Sequence, residues 1–401
     1  MNRKRSRISS WQPTSRHGLL PLAVVALLAN ASAQDWLIQG ATLVVAPDTV
    51  MQPGELLIRD GKVAHVGPEI PAEVRSRARA LRFDGGWIVP GFVLAHATLA
   101  QESDLVERAV SWTPELLAAE AVDPFHEDLA ELPQNAVTSC LLAPSSANVA
   151  GGIAALVKPG EEFGRIAAED AYLKLALTTK ARDQQREPTS LMGAVSMLRT
   201  ALQNAKAGMP GEPGNVLLQQ VLQGQRPVFV HAENFAELSA ILDMADEFEF
   251  EPVLVGAGAA KDCLDRIAKS RARIALRAMR PESRQEQLEL PAQLEARGIP
   301  FCFVGSPAEL RLTAALAVRH GTSRKAALAA ITRVPAELTG QQELTGSLRR
   351  GCSADFAVFG GDPLDLASPL LAVFVDGKVL YGKAPQPTAP GPNPVNAEES
   401  R

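Results

Sequence analysis

The feature that most constrains the fold is an alternation of short apolar runs with helix-patterned segments, from about Pro90 to Gly340. The apolar runs have the length of buried strands and are found at 137–142, 227–231, 251–255, 273–276 and 299–304. The helix-patterned segments between and after them include 192–206, 235–247, 259–270 and 324–331. Because strands that alternate with helices form parallel sheets with the helices outside, the pattern predicts an α/β fold. Either a (β/α)8 barrel or a doubly wound sheet satisfies it.

Strand-rich sequence of a different kind flanks this region on both sides. Residues 35–89 contain short alternating runs, and Asp60-Gly61 between two of them indicates a hairpin. Residues 343–383 repeat the pattern around Asp376-Gly377. We therefore expect the two segments to pair into one small β-sandwich domain, with the barrel spanning 90–342. The last residues, 384–401, are rich in proline and polar side chains, and we expect a disordered tail there.

The first 33 residues have the pattern of a secretory signal peptide. They hold five basic residues and no acidic one, followed by an apolar run at 19–29 that is too short to span a bilayer. Ala31-Ser32-Ala33 then gives the small-x-small pattern of a cleavage site, so we expect cleavage before Gln34. The alternative is an uncleaved anchor or a buried N-terminal helix. The pattern predicts export, to the periplasm or the extracellular space.

Charge and composition exclude several classes of function. Without the leader the chain has 35 basic against 45 acidic residues, and such an acidic body does not suit a nucleic-acid binder. A polybasic membrane-surface role is excluded for the same reason, and we expect no membrane span in the mature chain. A small molecule is the expected partner. We interpret the four cysteines as buried free thiols, because they are too few and too scattered for a disulfide scaffold.

Two common classes of enzyme lack their sequence signatures. No G-x-G-x-x-G follows a leading strand, and the sequence at 256–261 lacks the final glycine of that fingerprint. A dehydrogenase of the Rossmann type is therefore not expected. No G-x-S-x-G elbow is present either, so the sequence does not support a Ser-His-Asp hydrolase.

Several motifs, in a fixed order, resemble those of the amidohydrolase superfamily of metal-dependent hydrolases. Residues 89–99 resemble its Pro-Gly-Phe turn and first barrel strand, 329–336 its Ala-x-Thr-x-x-Pro-Ala helix, and 346–358 its closing Gly-Ser-Leu and Ala-Asp signature. Residues 145–152 and 188–193 are similar to a secreted, imidazolonepropionase-like branch. The resemblance implies a (β/α)8 barrel and hydrolysis of non-peptide C–N bonds in cyclic amides or dipeptide-like substrates.

The resemblance also implies a divalent metal, such as zinc, but only part of the family's ligand pattern is present. His96 matches the first strand's histidine, and His231 matches the histidine after the fifth strand. Two histidines fall short of the three protein ligands that a catalytic zinc usually has. Other expected site positions carry Leu94, Thr98 and Pro307, with Gly256 at a position where the pattern varies. Pro307 stands near the place of the family's general base, so the cofactor is expected to be one metal or none.

Other residues are candidates for substitute ligands. Glu233 lies two residues after His231, and 123–128 is rich in ligand types, although such a charge run usually begins a solvated helix. Lys158 could match a carbamylated lysine of some family members, but we expect it at an exposed strand end. His65 and His320 are expected to be structural. Two hypotheses remain: a hydrolase with a rebuilt metal site and weakened activity, or a non-catalytic pseudoenzyme that binds a small molecule or a protein.

Overall fold

The structure, a computed structural model, describes residues 35–75, 78–97, 99, 104–183, 185–209, 214–383 and 385–386. The predicted signal peptide lies outside the described residues, as does all but two residues of the predicted tail. The strands are β1 (Trp36–Ala46), β2 (Thr49–Arg59), β3 (Lys62–Gly67), β4 (Arg79–Arg82), β5 (Trp87–Pro90), β6 (Phe92–Ala97), β7 (Val137–Leu142), β8 (Ala150–Lys158), β9 (Arg165–Ala176), β10 (Val228–Ala232), β11 (Val253–Gly256), β12 (Arg273–Arg277), β13 (Phe301–Val304), β14 (Phe356–Phe359), β15 (Leu370–Val375) and β16 (Lys378–Gly382). The α-helices are α1 (Ala72–Arg75), α2 (Glu127–Glu131), α3 (Leu191–Lys206), α4 (Asn215–Leu222), α5 (Phe235–Phe248), α6 (Leu264–Lys269), α7 (Gln285–Ala296), α8 (Pro307–Arg319), α9 (Arg324–Ala329) and α10 (Arg333–Leu338).

The central sheet is a nearly closed barrel of eight strands in the order β6 to β13. Residues 330–331 bridge its two ends: the Val93 amide donates to the Ile331 carbonyl at 2.9 Å, and the Phe303 amide to the Ala330 carbonyl at 3.1 Å. The barrel interior is filled by buried apolar side chains such as Phe229 and Leu156. This near closure selects the barrel over the doubly wound sheet that the sequence left open.

One strand departs from the regular alternation that the sequence predicted. β8 runs antiparallel to both of its neighbours, β7 and β9, and no helix lies between them. The connections at 143–149 and 159–164 are too short for parallel crossovers, each of which needs about a dozen residues. The chain therefore turns back on itself twice before the strand–helix pattern resumes with β9, α3 and α4.

The two ends of the described chain pair in a second, eight-stranded sheet. Its order is β16-β15-β14-β5-β1-β2-β3, with β4 paired to β1. β5 from the N-terminal segment pairs with β14 from the C-terminal one, and the rings of Phe356 and Phe374 stack with centroids 4.3 Å apart. Both ends of the sequence thus build one sheet around an apolar core. No helix within the described residues is long and apolar enough to cross a membrane.

A buried ion pair joins the barrel to the terminal sheet, and it corrects the prediction for Lys158. That lysine ends β8 and is only 1% exposed, rather than lying at an exposed strand end. Its Nζ lies 2.6 Å from Asp355 Oδ2 and 3.1 Å from Asp376 Oδ1. The prediction was wrong because it considered only the following Pro-Gly, whereas the acidic partners come from about 200 residues later in the sequence. All four cysteines are buried and free, as expected.

Candidate functional site

The candidate site is a cavity at the carboxyl ends of the barrel strands, where function concentrates in such folds. It has a volume of about 490 Å³, and both predicted histidines line it: His96 near the end of β6 and His231 near the end of β10. A larger groove of about 610 Å³ lies along α3, but Glu187 is the single ionisable side chain among its lining residues. The cavity with the histidines is therefore the better candidate for a functional site, because more ionisable side chains line it.

His96 is held by a tyrosine in the barrel interior. Tyr172, in β9, donates from its hydroxyl to the Ala95 carbonyl at 3.1 Å, so the same hydroxyl accepts from His96 Nδ1 at 2.9 Å. Stacking of Tyr172 on Phe229, with centroids 3.9 Å apart, fixes the tyrosine ring. Burial, and then the nearby Lys174 and His231, lower the pKa of His96 well below its usual value. His96 is thus a neutral imidazole at physiological pH.

His231 uses both of its ring nitrogens in short contacts. Nδ1 lies 2.6 Å from Ser146 Oγ, and Nε2 lies 2.6 Å from Glu233 Oε1. The guanidinium of Arg277, at the end of β12, forms an ion pair with the same Glu233 oxygen. Burial lowers the pKa of His231, although Glu233 partly opposes the shift. Burial disfavours the Glu233 carboxylate, but His231 and Arg277 together hold the pKa of Glu233 below its usual value.

Lys174, in β9, is a functional candidate that the sequence reasoning missed. Its side chain is fully buried, and Nζ donates to Ser146 Oγ at 2.9 Å and to the Leu175 carbonyl at 3.0 Å. Burial lowers the pKa of Lys174 to about 7. The signal was available, because an isolated lysine interrupts the apolar run at 171–177 and a lysine is rarely buried without a purpose. Ser146 and Arg277 carried no comparable signal.

The described positions that depart from the family pattern carry side chains that do not ligate metals. Leu94 is fully buried in the core. Gly256 ends β11 at φ +83°, and a Cβ there would lie 2.3 Å from Glu233 Oε1 and 3.0 Å from His231 Nε2. Pro307 is the first residue of α8, which a capping box between Ser306 and Glu309 begins. Thr98 lies outside the described residues.

The family's metal does not fit the side chains that the structure describes here. Both nitrogens of His231 are engaged, and the Arg277 guanidinium supplies a positive charge beside Glu233. Over the described ranges, no group of three or more His, Cys, Asp or Glu side chains is placed to hold a metal ion. A catalytic zinc needs about three such ligands.

The remaining sequence candidates lie in local structural roles. In the acidic segment, the Asp123 carboxylate accepts from the Phe125 amide at 2.9 Å, and His126 caps α2 by accepting from the Asp128 amide at 3.2 Å. This is the helix start that the charge run indicated. His65 lies in β3, and His320 is the C-cap of α8. Glu233 is the one substitute candidate that the structure brings to the histidines.

Comparisons with known proteins agree with this architecture. Residues 311–381 match a model described as the amidohydrolase family. A curated amidohydrolase, tasK of Hapsidospora irregularis, is 26% identical over 391 residues, which covers 82% of this chain. The chain spans about 40% of that relative's length.

Two solved structures show the same fold. An amidohydrolase from Thermotoga maritima MSB8 has a TM-score of 0.76 at 22% identity, and the match covers 87% of this chain and 100% of that one. A beta-aspartyl dipeptidase from Fervidobacterium islandicum AW-1, in complex with a beta-Asp-Leu dipeptide, has a TM-score of 0.51 at 12% identity, with 87% and 96% covered. These likenesses show a shared fold, and the family model matches only the C-terminal part of the chain.

Proposed function

We propose that this chain is an exported amidohydrolase-fold protein that has lost the family's metal-dependent hydrolysis. It keeps the cavity at the barrel mouth and binds there a small ligand that carries an amide bond and a carboxylate, such as a dipeptide-like or cyclic amide acid. The proposal includes cleavage of the leader before Gln34 and an origin in the imidazolonepropionase-like branch, which the motifs at 145–152 and 188–193 suggest.

One observation carries the proposal: an ion pair stands in place of a metal-ligand set. Glu233 fills the space that a side chain at Gly256 would need, and it bonds His231 on one side and Arg277 on the other. A divalent cation beside His231 would have to displace the guanidinium and break two short contacts. The guanidinium already supplies the positive charge that the Glu233 carboxylate needs, so the described side chains satisfy one another without a metal.

The charges that line the cavity indicate the class of ligand. Lys180, Arg277 and Arg280 line it, and Arg280 is paired with Glu309 at 2.8 Å. With Arg277 paired to Glu233, Lys180 is left as a cation without an ion-pair partner among the described residues. A cavity with one unpaired cation favours a ligand with a carboxylate. The dipeptidase with the same fold holds a beta-Asp-Leu dipeptide, which has such a group.

Metal analysis of the purified mature protein tests the first part of the proposal. After supplementation with zinc, iron and manganese followed by desalting, we expect well below one equivalent of any of them. We also expect the melting temperature to be unchanged by a chelator, because no metal stabilises the fold. A stoichiometric metal whose loss lowers the melting temperature would support the rebuilt hydrolase instead and contradict this proposal.

Calorimetric titration with matched ligands tests the second part. We expect a dipeptide with a free carboxylate to bind at least about tenfold more tightly than the same dipeptide with a carboxamide cap, since one charge-assisted contact contributes about 1.5 kcal/mol or more. Lys180→Ala should remove most of that preference. Lys269→Ala, an exposed lysine at the end of α6, is the matched control and should keep it. Equal affinity for the acid and the amide would contradict the proposed ligand class.

A further inference from the structure

Ser146 occupies a position that ligand binding alone does not require. It lies in the connection at 143–149 between β7 and β8, is only 8% exposed, and yet lines the cavity. Its Oγ is 2.6 Å from His231 Nδ1 and 2.9 Å from Lys174 Nζ. A hydroxyl held between an imidazole and an amine, with an open cavity beside it, has the arrangement of an activated nucleophile.

We propose that Ser146 is a nucleophile that attacks an acyl group bound in this cavity, with His231 as its general base and Glu233 as the residue that orients the imidazole. This inference rests on the proposed function for the binding of an amide- or ester-bearing ligand. It adds to that function a metal-independent acyl transfer, an activity unlike the metal-dependent hydrolysis that the fold suggests.

The hydrogen-bond pattern determines where the protons lie. Because the Glu233 carboxylate only accepts, the short contact to His231 requires a proton on Nε2. Nδ1 of the neutral ring then carries the lone pair and accepts the hydroxyl proton of Ser146. This is the order of a serine–histidine–carboxylate triad, with the two ring nitrogens exchanged relative to the common arrangement. Arg277 holds Glu233 in place through their ion pair.

Lys174 completes the arrangement from the buried side. Its Nζ donates to Ser146 Oγ, and its other described contact is the donation to the Leu175 carbonyl. A donor aimed at Oγ stabilises the negative charge that develops there as the proton leaves. Lys180 and Arg277 line the same cavity.

The reaction balances without a cofactor. Ser146 Oγ forms a bond to the carbonyl carbon while its proton passes to His231 Nδ1. The C–N or C–O bond then breaks, and the same proton moves to the departing amine or alcohol. A water molecule attacks the acyl-serine, gives one proton to His231, and releases the acid as the Ser146 hydroxyl is restored.

Labelling with an alkyl fluorophosphonate, followed by intact-mass and peptide mass spectrometry, tests this inference on the full mature protein. We expect one phosphonyl adduct, located on Ser146 and absent from Ser146→Ala. His231→Ala should slow labelling by about 100-fold or more, the usual contribution of a general base. Ser196→Ala, an exposed serine on α3 outside the cavity, is the control and should label like the wild type.

Two further measurements keep the test decisive. In Ser146→Cys, iodoacetamide should alkylate the introduced thiol faster than the four buried native cysteines, which shows an accessible and activated position even if Ser146→Ala folds poorly. A wild-type protein that binds the dipeptide acid but gives no Ser146 adduct, or gives one elsewhere, would overturn the inference and leave the proposed function standing. Absence of ligand binding alongside a Ser146 adduct would overturn the proposed function alone.

Discussion

Lys158→Met is expected to lower the free energy of unfolding by about 3 to 5 kcal/mol, the usual cost of removing one partner from a buried ion pair. The substitution leaves the Asp355 carboxylate, whose side chain is 2% exposed, without its 2.6 Å cation and beside a second carboxylate, Asp376. Burial already raises the pKa of Asp355 above its usual value. The loss in the free energy of unfolding should therefore become smaller as the pH falls, because protonation of Asp355 removes the unpaired charge. Urea unfolding at pH 7 and pH 4.5 measures both effects.

A neighbouring lysine provides the control for this prediction. Lys378 lies in β16 and forms an exposed ion pair with Glu161 at 2.8 Å, with side chains 64% and 57% exposed. Lys378→Met should change the free energy of unfolding by less than about 1 kcal/mol, as surface pairs do. Equal losses for Lys158→Met and Lys378→Met would show that the buried pair does not hold the terminal sheet to the barrel.

Lys174→Met is expected to stabilise the protein at pH 7 by about 2 kcal/mol. The pKa of Lys174 falls from 10.5 to about 7 on folding. At pH 7 this lysine is charged in the unfolded state, and burying it costs about 4 kcal/mol of folding free energy. Methionine removes that cost but loses the bonds to Ser146 and Leu175, at about 1 kcal/mol each. Thermal or urea unfolding of both proteins at pH 7 gives the difference.

The pH dependence of this difference has a definite sign. In the wild type the folded state binds fewer protons than the unfolded state between pH 7 and 10.5, so its stability rises with pH in that window. The advantage of Lys174→Met should shrink by about 1 kcal/mol per pH unit and reverse above about pH 9. Lys325→Met, on the exposed face of α9, is the control and should show no such trend. A variant that is less stable at pH 7 would contradict the assigned burial cost.

Much of the fold could be predicted from the sequence, because short-range patterns of apolar and turn residues indicate its strands and helices. Apolar runs between helical segments indicated the barrel, and the Asp60 and Asp376 hairpins indicated the strands of the terminal sheet. The antiparallel β8 was missed because motif order does not report strand direction. Connection length does report it, because the connections at 143–149 and 159–164 are too short for crossovers, but the sequence analysis placed no strand at 150–158.

The site was predictable only in part, because its contacts join residues that are far apart in the sequence. The sequence singled out His96, His231 and Glu233, and the structure places both histidines in one cavity with Glu233 bonded to His231. It could not show that Ser146 contacts both His231 and Lys174, since the three residues come from separate segments of the sequence. The absence of a G-x-S-x-G elbow excluded one family of serine hydrolases, whereas a serine on another kind of turn leaves no such signature.

The most direct test of the metal-free site is anomalous diffraction from crystals of the mature protein grown with excess zinc. We predict no anomalous peak within coordination distance of His96 or His231, and intact contacts from His231 to Ser146 and Glu233. A zinc peak bonded to both histidines, with Arg277 displaced from Glu233, would contradict the account.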